Sequence, residues 1–346
     1  MKVLFIGLGS IGQRHLRNLI SLSEEPLEIM AYRVSRTVPM LSAQMKPVGS
    51  GKALSEKFNI TEYSNLDEAL ECEPDITFIT NPSSLHIDCA IKAARSGSHL
   101  FIEKPLSNSS CRLDELVKEV ENNNLVVTVA YQFRYHPAIL KAKEWLENKS
   151  IGNIISARFT NGEYMPGWHP YENYRKTYAA RNDLGGGAIL TQIHEFDIAL
   201  FLLGKPVSVY CVGGKLSDLE IDVEDSVSVL MSYKSSNRHF PVSIDLDYLQ
   251  YPSKRGFQIV GDTGSIEWNN IKNTVVLQSR ENAIDTVISF DGFDRNSLFI
   301  DELQDFISNI KGVNSNMVTL DDGIESLKIA LLAKQSMLTR QVINAA

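Results

Sequence analysis

The chain has 346 residues with a formal net charge of −8; 43% of them are hydrophobic and 22% are charged. This composition is that of an ordinary globular protein, and the length indicates two domains, because single cores rarely grow beyond about 250–300 residues. The acidic balance argues against binding to nucleic acid or to an anionic membrane surface.

Cysteine usage and hydropathy limit the compartment and the chemistry. The cysteines, Cys72, Cys89, Cys111 and Cys211, show no CxxC spacing, which argues against a zinc site and indicates a reducing compartment. The apolar run after Met1 stops at glycines and has no cleavage site after it. No stretch approaches the roughly 20 apolar residues of a membrane span. We therefore predict a cytoplasmic protein without a bound metal.

The first third of the chain alternates short apolar runs with amphipathic segments. The runs are typical of strands buried on both faces of a parallel sheet, and they lie at Val3–Gly7, Leu27–Tyr32, Ile76–Thr80, His99–Glu103 and Leu125–Ala130. Helices are predicted between them, for example over Leu85–Arg95 and Leu113–Asn122. This alternation predicts a doubly wound α/β domain over residues 1–125.

The pattern changes in the rest of the chain. Residues 207–290 hold a series of strand-like runs separated by turn residues, which predicts a mostly antiparallel sheet. Amphipathic helices are predicted at about 297–310 and 320–339. We therefore predict a second α/β domain, with an open and mostly antiparallel sheet, over residues 126–346.

The first predicted strand ends in a GxGxxG motif over residues 7–12. Gly7 permits a tight turn, Gly9 lets backbone N–H groups approach a pyrophosphate, and Gly12 lets the next helix pack close to the strand. The N-terminus of that helix supplies unpaired donors and the positive end of a dipole. The motif therefore predicts a dinucleotide site that includes Ser10 and Ile11.

The position that contacts the ribose in such folds, about 20 residues further on, holds no acidic residue. Arg33 and Arg36 flank Ser35 at the end of the second predicted strand. Because a guanidinium fork suits a 2′-phosphate, these residues favour NADP over NAD as the cofactor. Solvated arginines, or an Arg33 that stacks on the adenine, are the alternative.

Two more strand ends face the ligand crevice of a doubly wound sheet. Asn81 and Pro82 follow the fourth strand and are predicted to contact the cofactor, whereas His86 is either a cofactor contact or a packed helix-start residue. Glu103, a further predicted cofactor contact, and Lys104 close the fifth strand. Lys104 can donate a hydrogen bond to a substrate hydroxyl and stabilise negative charge that develops on its oxygen.

A triple glycine at 185–187 predicts a helix that runs to about residue 203. His194 is placed in the interior of this helix with Asp197 three residues further on, an arrangement that suits proton transfer near neutral pH. A hydrogen-bonded core histidine is the alternative. Thr191 and Gln192 lie beside His194 as predicted substrate contacts.

Aromatic and cationic residues precede that helix: Trp168, Tyr171, Arg175 and Arg181. Aromatic rings can stack on the C–H faces of a sugar, and guanidinium groups can bind a carboxylate or a phosphate. The segment therefore predicts a sugar site, and its arginines indicate a substrate that carries negative charge. A structured loop with ordinary polar residues is the alternative.

Taken in order, these motifs resemble those of the Gfo/Idh/MocA family of oxidoreductases. The matching pieces are GLGSIG at 7–12, NP at 81–82, EKP at 103–105, the segment Tyr131–Arg134, GGGAIL at 185–190, His194 with Asp197, and VEDSV at 223–227. The resemblance implies a Rossmann domain followed by an α/β domain with an open sheet. It also implies that Lys104 and His194 are catalytic, and it places Arg134 among the substrate contacts.

The chain departs from the family pattern at one position. Many members carry an aspartate four residues before the catalytic histidine, whereas this chain has Leu190 there and a segment one residue shorter. Thr191 and Gln192 are the nearest polar substitutes, so the role of the usual acid is open.

The resemblance implies an NAD(P)-dependent dehydrogenase or reductase for a sugar, a nucleotide sugar or a polyol, in a homodimer or homotetramer. His194 is expected to take the hydroxyl proton in oxidation, and Lys104 to position the oxygen. Both side chains are expected beside the reactive face of the dinucleotide. Two alternatives stay open: an NAD-dependent redox glycosidase, and a non-catalytic regulator that binds a dinucleotide.

Overall fold

The computed structural model describes residues 1–34, 39–49, 51–235, 238–280, 285–313 and 315–345. The chain divides into two compact units, Met1–Tyr131 with Asn296–Ile324 and Gln132–Arg295 with Glu325–Ala346. The sequence-based boundary at residue 125 assigns everything after it to the second domain, whereas by compactness residues 126–131 and 296–324 group with the first unit. The roles assigned to the two domains stay predictions.

The first unit contains short strands with helices between them. The strands are β1 (Lys2–Ile6), β2 (Glu28–Tyr32), β3 (Met40–Leu41), β4 (Pro47–Gly49), β5 (Thr61–Tyr63), β6 (Ile76–Ile79), β7 (His99–Ile102) and β8 (Val127–Val129). The helices are α1 (Ser10–Leu22), α2 (Gly51–Phe58), α3 (Leu66–Leu70), α4 (His86–Arg95) and α5 (Leu113–Asn122).

Six of these strands form a parallel sheet in the order β5-β2-β1-β6-β7-β8. The predicted doubly wound sheet is therefore confirmed. The apolar runs did not reveal β5, since this edge strand has three residues, none of them buried. The strand order reverses between β1 and β6, and ligands of such sheets bind outside the carboxyl ends of the strands at this point.

A cluster of aromatic rings holds the centre of this sheet. The rings of Phe5 and Phe78 stack with centroids 4.6 Å apart, and Phe101 follows 5.0 Å from Phe78. All three are fully buried, and burying each side chain contributes about 1.5–3 kcal/mol. The strand ends at the reversal point are therefore fixed by a rigid core.

The second unit contains longer strands. They are β9 (Ile154–Gly162), β10 (Ser208–Gly214), β11 (Ser226–Ser235), β12 (Arg238–Asp247), β13 (Lys254–Gly261), β14 (Gly264–Asn269), β15 (Thr274–Ser279), β16 (Thr286–Ser289) and β17 (Ile343–Asn344). Its helices are α6 (Pro137–Glu147), α7 (Ala188–Thr191) and α8 (His194–Leu203). After them, α9 (Asn296–Ile310) belongs to the first unit, and α10 (Leu320–Thr339) begins in the first unit and ends in the second.

These nine strands form one sheet in the order β16-β15-β14-β13-β9-β12-β11-β10-β17. Neighbours are antiparallel except β9 and β12, which are parallel, so the predicted mostly antiparallel sheet is confirmed. Buried and exposed residues alternate along β11 and β12, as expected for a sheet with one covered face. On the other face Val212 and Leu230 are more than half exposed. The predicted homo-oligomer stays a prediction.

Within the described ranges, no single helix has the length and apolar composition needed to cross a membrane. One bent pair, Asn182–Thr191 with His194–Leu203, meets that test when its two parts are taken together.

Candidate active site

The glycine turn after β1 has the geometry that a dinucleotide motif requires. Gly7 has a φ of +95°, and Thr80 Oγ1 donates a hydrogen bond of 2.6 Å to its carbonyl. A Cβ on Gly12 would lie 2.7 Å from both the Gly7 carbonyl oxygen and Thr80 Oγ1, so packing requires glycine there. A Cβ on Gly9, in contrast, would meet no heavy atom of the described chain within 4 Å. Gly9 therefore leaves open space beside the turn.

Helix α1 begins at Ser10 and Ile11, directly after this open space. Its first backbone hydrogen bond runs from the Gln13 N–H to the Gly9 carbonyl at 3.0 Å. The N–H groups before Gln13 therefore have no acceptor within the helix, and the positive end of the helix dipole lies beside Gly9. This arrangement fits the diphosphate of a dinucleotide.

At the predicted ribose position, Arg33 is engaged within the protein. Its Nη1 lies 2.8 Å from Glu62 Oε1, and Arg33 is 6% exposed. Glu62 also accepts a hydrogen bond from Ser55. The other predicted contacts, Ser35 and Arg36, lie outside the described residues. One of the two guanidinium groups that favour a 2′-phosphate is therefore engaged in an internal ion pair.

The loop after β6 holds an unused acceptor and a buried ring. Asn81 Nδ2 donates to Cys89 Sγ at 3.5 Å, while Asn81 Oδ1 is buried and has no hydrogen-bond partner in the described part of the chain. Pro82 follows it, half-buried. His86 is 1% exposed, and its ring nitrogens lie 2.8 Å from the carbonyl oxygens of Pro105 and Asn81. Burial lowers the pKa of His86. His86 thus bridges two loops, as expected for a packed residue at the start of a helix.

Glu103 and Lys104 follow β7 at the same edge of the sheet. Glu103 is buried, and its Oε1 lies 2.7 Å from Nε2 of His15, a residue of α1. Its Oε2 accepts the Lys104 N–H at 3.2 Å. Both carboxylate oxygens of Glu103 therefore bind groups of the protein. Lys104 is half-buried, and its peptide bond to Pro105 is cis.

The predicted continuous helix in the second unit is wrong, because the chain forms two helices with a break at Gln192 and Ile193. Gln192 leaves the helical region at a ψ of 31°, and its Nε2 donates to the Asp247 carbonyl at 3.1 Å. His194 is consequently the first residue of α8 rather than an interior residue of one helix. Leu190, at the position of the usual aspartate, is 1% exposed and belongs to the core.

His194 and Asp197 lie in buried surroundings. His194 is 6% exposed, and the edge of its ring packs against Phe133 with centroids 5.1 Å apart. Asp197 is fully buried; its Oδ1 accepts hydrogen bonds from Arg134 Nη2 at 2.7 Å and from Ser326 Oγ at 2.9 Å. Arg134 Nε lies 3.0 Å from Asp197 Oδ2. Arg134, a predicted substrate contact, is therefore part of a buried ion pair.

Two of the predicted substrate contacts, Gln192 and Trp168, each have a polar atom that makes no hydrogen bond among the described residues. Gln192 is 4% exposed, and its Oε1 has no partner among the described residues. Trp168 packs edge-on against Tyr248, with centroids 5.1 Å apart, and its buried Nε1 also has no partner there. Thr191 is 8% exposed. Gln192 and Trp168 thus contact consecutive residues, Asp247 and Tyr248, and leave one acceptor and one donor unused.

The remaining predicted substrate contacts are engaged elsewhere. Arg175 pairs with Glu220, and Arg181 pairs with Asp183, at exposed positions. The hydroxyl of Tyr171 lies 3.3 Å from His169 Nδ1. Since both guanidinium groups have carboxylate partners, they give no support to a negatively charged substrate.

Comparison with known families gives two matches that together span most of the chain. A family model described as the oxidoreductase family, NAD-binding Rossmann fold, matches residues 1–131. A model described as the GFO/IDH/MocA C-terminal domain matches residues 139–267. The chain belongs to the GFO/IDH/MocA family. The protein is therefore an NAD(P)-dependent oxidoreductase, and the predicted family, fold class and enzyme class are confirmed.

Individual relatives of this GFO/IDH/MocA oxidoreductase match over nearly their full length. The chain is 27% identical to the myo-inositol 2-dehydrogenase of Thermotoga maritima, over 97% of this chain and 96% of that protein. It is 24% identical to the scyllo-inositol 2-dehydrogenase (NAD(+)) of Bacillus subtilis, over 96% and 93%. Levoglucosan dehydrogenase in complex with NADH shares the fold, with a TM-score of 0.82 at 20% identity over 100% and 99% of the two chains.

The residues of the first unit fit the cofactor that the family implies. Open space at Gly9, the free donors at the start of α1 and the unused Asn81 Oδ1 are the features that a bound dinucleotide would use. Among the described residues there is no cluster of three or more His, Cys, Asp or Glu that could hold a metal ion. Lys104, Pro82 and Asn81 lie at the carboxyl ends of β7 and β6, the edge at which such sheets bind ligands.

The structure also reveals buried acids of the GFO/IDH/MocA chain that the sequence did not single out individually. Glu195 Oε1 accepts from Arg255 Nε at 2.7 Å, and its Oε2 accepts from Asn161 Nδ2 at 3.2 Å. Glu224 Oε1 accepts the backbone N–H of Ile189 at 3.2 Å. Burial raises the pKa of Glu195 and of Glu224. The VEDSV motif contains Glu224, but no local pattern indicates Arg255.

Proposed function

We propose that the protein oxidises or reduces a carbinol or keto carbon of an uncharged sugar or cyclic polyol, with Lys104 and His194 as catalytic residues. The names of the relatives support this substrate class, since inositols and levoglucosan are uncharged polyhydroxy rings. Because Arg175 and Arg181 each have a carboxylate partner, they give no reason to favour a nucleotide sugar or a uronic acid.

The observation that carries the substrate class is the pair of unused polar atoms in the second unit. Gln192 Oε1 can accept a hydrogen bond, and Trp168 Nε1 can donate one. Leaving such buried groups unsatisfied costs about 1–3 kcal/mol each. A hydroxyl group both donates and accepts, so a polyol satisfies both atoms where an apolar or a purely anionic ligand would not.

The catalytic roles follow from the chemistry of the two side chains. When bound, a nicotinamide dinucleotide supplies the acceptor or donor of the hydride. In oxidation, a neutral His194 accepts the proton of the carbinol hydroxyl, and in reduction the protonated ring returns a proton to the carbonyl oxygen. The Lys104 ammonium donates a hydrogen bond to that oxygen and stabilises its developing negative charge.

We propose NAD as the preferred cofactor, although the sequence favours NADP. Because Arg33 is buried and paired with Glu62, its charge is already compensated, and a 2′-phosphate would place further negative charge near that carboxylate. Fluorescence titration with NADH and NADPH tests this preference. Glu62→Gln should improve NADPH binding relative to NADH, and an unchanged ratio would remove Arg33 from the explanation.

The proposed function is tested by a substrate screen and two variants. Inositols, anhydrosugars and aldoses should give absorbance changes at 340 nm with added dinucleotide, whereas uronic acids and nucleotide sugars should not. Lys104→Ala and His194→Ala should each lower kcat at least a hundredfold, because general acid–base groups typically contribute 10²–10⁴-fold. Lys118→Ala and His239→Ala, at exposed positions, are the matched controls.

The same screen distinguishes the alternatives. Glycoside cleavage with no net absorbance change and no added cofactor would favour a redox glycosidase. Tight dinucleotide binding without turnover on any sugar would favour a regulator. Normal turnover in either the Lys104 or the His194 variant would overturn the assigned catalytic roles.

A further inference from the structure

The loop that carries Lys104 is held on both sides by a buried histidine. We propose that His15 and His86 are positioning residues that fix Lys104 relative to the glycine turn. The proposal deepens the proposed function and depends on a catalytic Lys104. Neither histidine touches the reacting atoms in this scheme, because each acts through a neighbour of Lys104.

His15 acts through the residue before Lys104. It is fully buried in α1, the helix that begins at the glycine turn, and its Nε2 lies 2.7 Å from Glu103 Oε1. The other oxygen of the same carboxylate accepts the backbone N–H of Lys104. The ring packs among aromatic side chains, with Phe101 4.7 Å and Phe299 5.9 Å away between centroids. The Glu103 carboxylate therefore connects α1 to the Lys104 backbone.

His86 acts through the residue after Lys104. Its Nδ1 lies 2.8 Å from the Pro105 carbonyl oxygen, and its Nε2 lies 2.8 Å from the Asn81 carbonyl oxygen. A neutral imidazole has one N–H, so at most one of these contacts is a hydrogen bond donated by the ring unless it is protonated. In either case the ring lies between the loop after β7 and the loop after β6 and contacts both.

The same network reaches the glycine turn. Thr80, one residue before Asn81, donates its hydroxyl proton to the Gly7 carbonyl at 2.6 Å. The Glu103 N–H donates to the Ile79 carbonyl at 2.9 Å. Lys104 is thus linked to the turn by two routes, one through α1 and His15 and one through His86 and the loop after β6. A shift of either histidine would move the ammonium group with respect to any ligand bound at Gly9.

A purely structural role for the two histidines is the competing explanation. Burying a polar ring costs free energy that an apolar residue of similar volume would not require. Each ring makes a short polar contact to an atom of a residue adjacent to Lys104, namely Glu103 Oε1 for His15 and the Pro105 carbonyl for His86. The positioning role makes a prediction that the structural role does not: replacing a histidine should have little effect on catalysis once Lys104 is absent.

The experiment combines substitutions of the histidines with one at Lys104 in the full chain. His15→Leu and His86→Leu should each lower kcat at least tenfold while the Kd for NADH changes less than twofold. His15→Gln and His86→Gln, which keep a donor, should recover at least half of that loss on a logarithmic scale. In a Lys104→Ala background, the leucine substitutions should change the residual kcat less than twofold.

The rate of reductive methylation of Lys104, followed by peptide mass spectrometry in the protein without ligand, gives a readout independent of turnover. The leucine variants should change this rate at least threefold and leave that of the exposed Lys118 unchanged. If His15→Leu does not fold, Glu103→Met replaces it and should change the Lys104 rate in the same way, because the methionine side chain has no oxygen to accept the Lys104 N–H.

Three outcomes overturn the inference: wild-type kcat in the folded leucine variants, an equal loss of kcat in the Lys104→Ala background, or an unchanged methylation rate at Lys104. A Lys104→Ala variant with normal turnover would instead overturn the proposed catalytic role, so the two failures are distinguishable.

Discussion

The loop edge of the first unit and the helices α7 and α8 of the second are held by different chemistry. In the loops after β1, β6 and β7, contacts run between a glycine carbonyl, histidine rings and backbone groups, together with the Glu103 carboxylate. Around α7 and α8, buried carboxylates face cations: Asp197 faces Arg134, Glu195 faces Arg255, and Glu224 has Lys334 3.7 Å away.

This difference has an energetic consequence. A neutral hydrogen bond contributes about 0.5–1.5 kcal/mol, whereas removing one partner of a buried ion pair leaves a charge without compensation and costs about 3–5 kcal/mol. Substitutions of the polar loop residues in the first unit should therefore reduce function more than stability, whereas substitutions that break the ion pairs of the second unit should reduce stability.

The largest effect is expected for Arg134→Met. Asp197 is fully buried, and the substitution would remove the guanidinium that faces it while the hydrogen bond from Ser326 stays. The free energy of unfolding should fall by about 3–5 kcal/mol, measured by urea denaturation with circular dichroism. The matched control is Arg175→Met, which breaks an exposed pair and should be neutral.

Adding Asp197→Asn to Arg134→Met should restore part of the stability, because the double variant carries no uncompensated charge. A loss below about 1 kcal/mol for Arg134→Met would show that the ion pair does not stabilise the second unit, and the contrast between the units would fail.

The same contrast explains what could be predicted from the sequence. The glycine turn and the position of Lys104 depend on residues adjacent in the chain, so a motif at the end of an apolar run was enough to find them. The partners of Asp197 and Glu195 lie 63 and 60 residues away. No periodicity marks Arg134 or Arg255 as their partners, so the ion pairs could only be seen in the structure.

The same distinction between local and distant contacts applies to the fold. Parallel strands buried on both faces could be predicted from their apolar runs, but β9, at the centre of the second sheet, was missed. Its buried positions include the small Ala157 and the polar Asn161, which weakens the alternation of apolar and polar residues. The break between α7 and α8 was missed because it depends on a contact from Gln192 to β12, 55 residues away.

A smaller effect, dependent on pH, is expected at His136, a buried histidine of the second unit. Burial, with a contribution from Arg255, lowers the pKa of His136 to about 4, against about 6.5 in an unfolded chain. The folded state therefore binds fewer protons, so stability is complete above pH 6.5 and is lost as the pH falls towards 4. The loss from this residue should reach about 2 kcal/mol at pH 5.

His136→Asn isolates this effect. His136 Nδ1 accepts the Ala138 N–H at the start of α6, and asparagine can provide the same N-terminal cap without titrating. Urea denaturation between pH 4.5 and 7.5 should show a shallower loss of stability in the variant. Parallel curves for the two proteins would mean that the pKa of His136 does not differ between the folded and the unfolded state.

The smallest effect on stability, and a large one on function, is expected for Gly9→Ala. The backbone of Gly9, with a φ of −69°, suits alanine, and the new methyl group would meet no atom of the described chain within 4 Å. Because Gly9 is the N-cap of α1 and alanine is a poorer cap than glycine, the free energy of unfolding should fall by about 1 kcal/mol or less. Dinucleotide affinity, measured by fluorescence titration, should fall at least tenfold, which corresponds to about 1.4 kcal/mol.

Gly12→Ala is the matched variant, because its methyl group would press on the Gly7 carbonyl and on Thr80. It should lose dinucleotide affinity together with about 1–3 kcal/mol of stability. The difference between the two variants separates a glycine that the fold requires from one that the ligand requires. Unimpaired NADH binding by Gly9→Ala would mean that the open space beside the turn is not where the diphosphate lies, and the assignment of the cofactor site to this edge would have to be withdrawn.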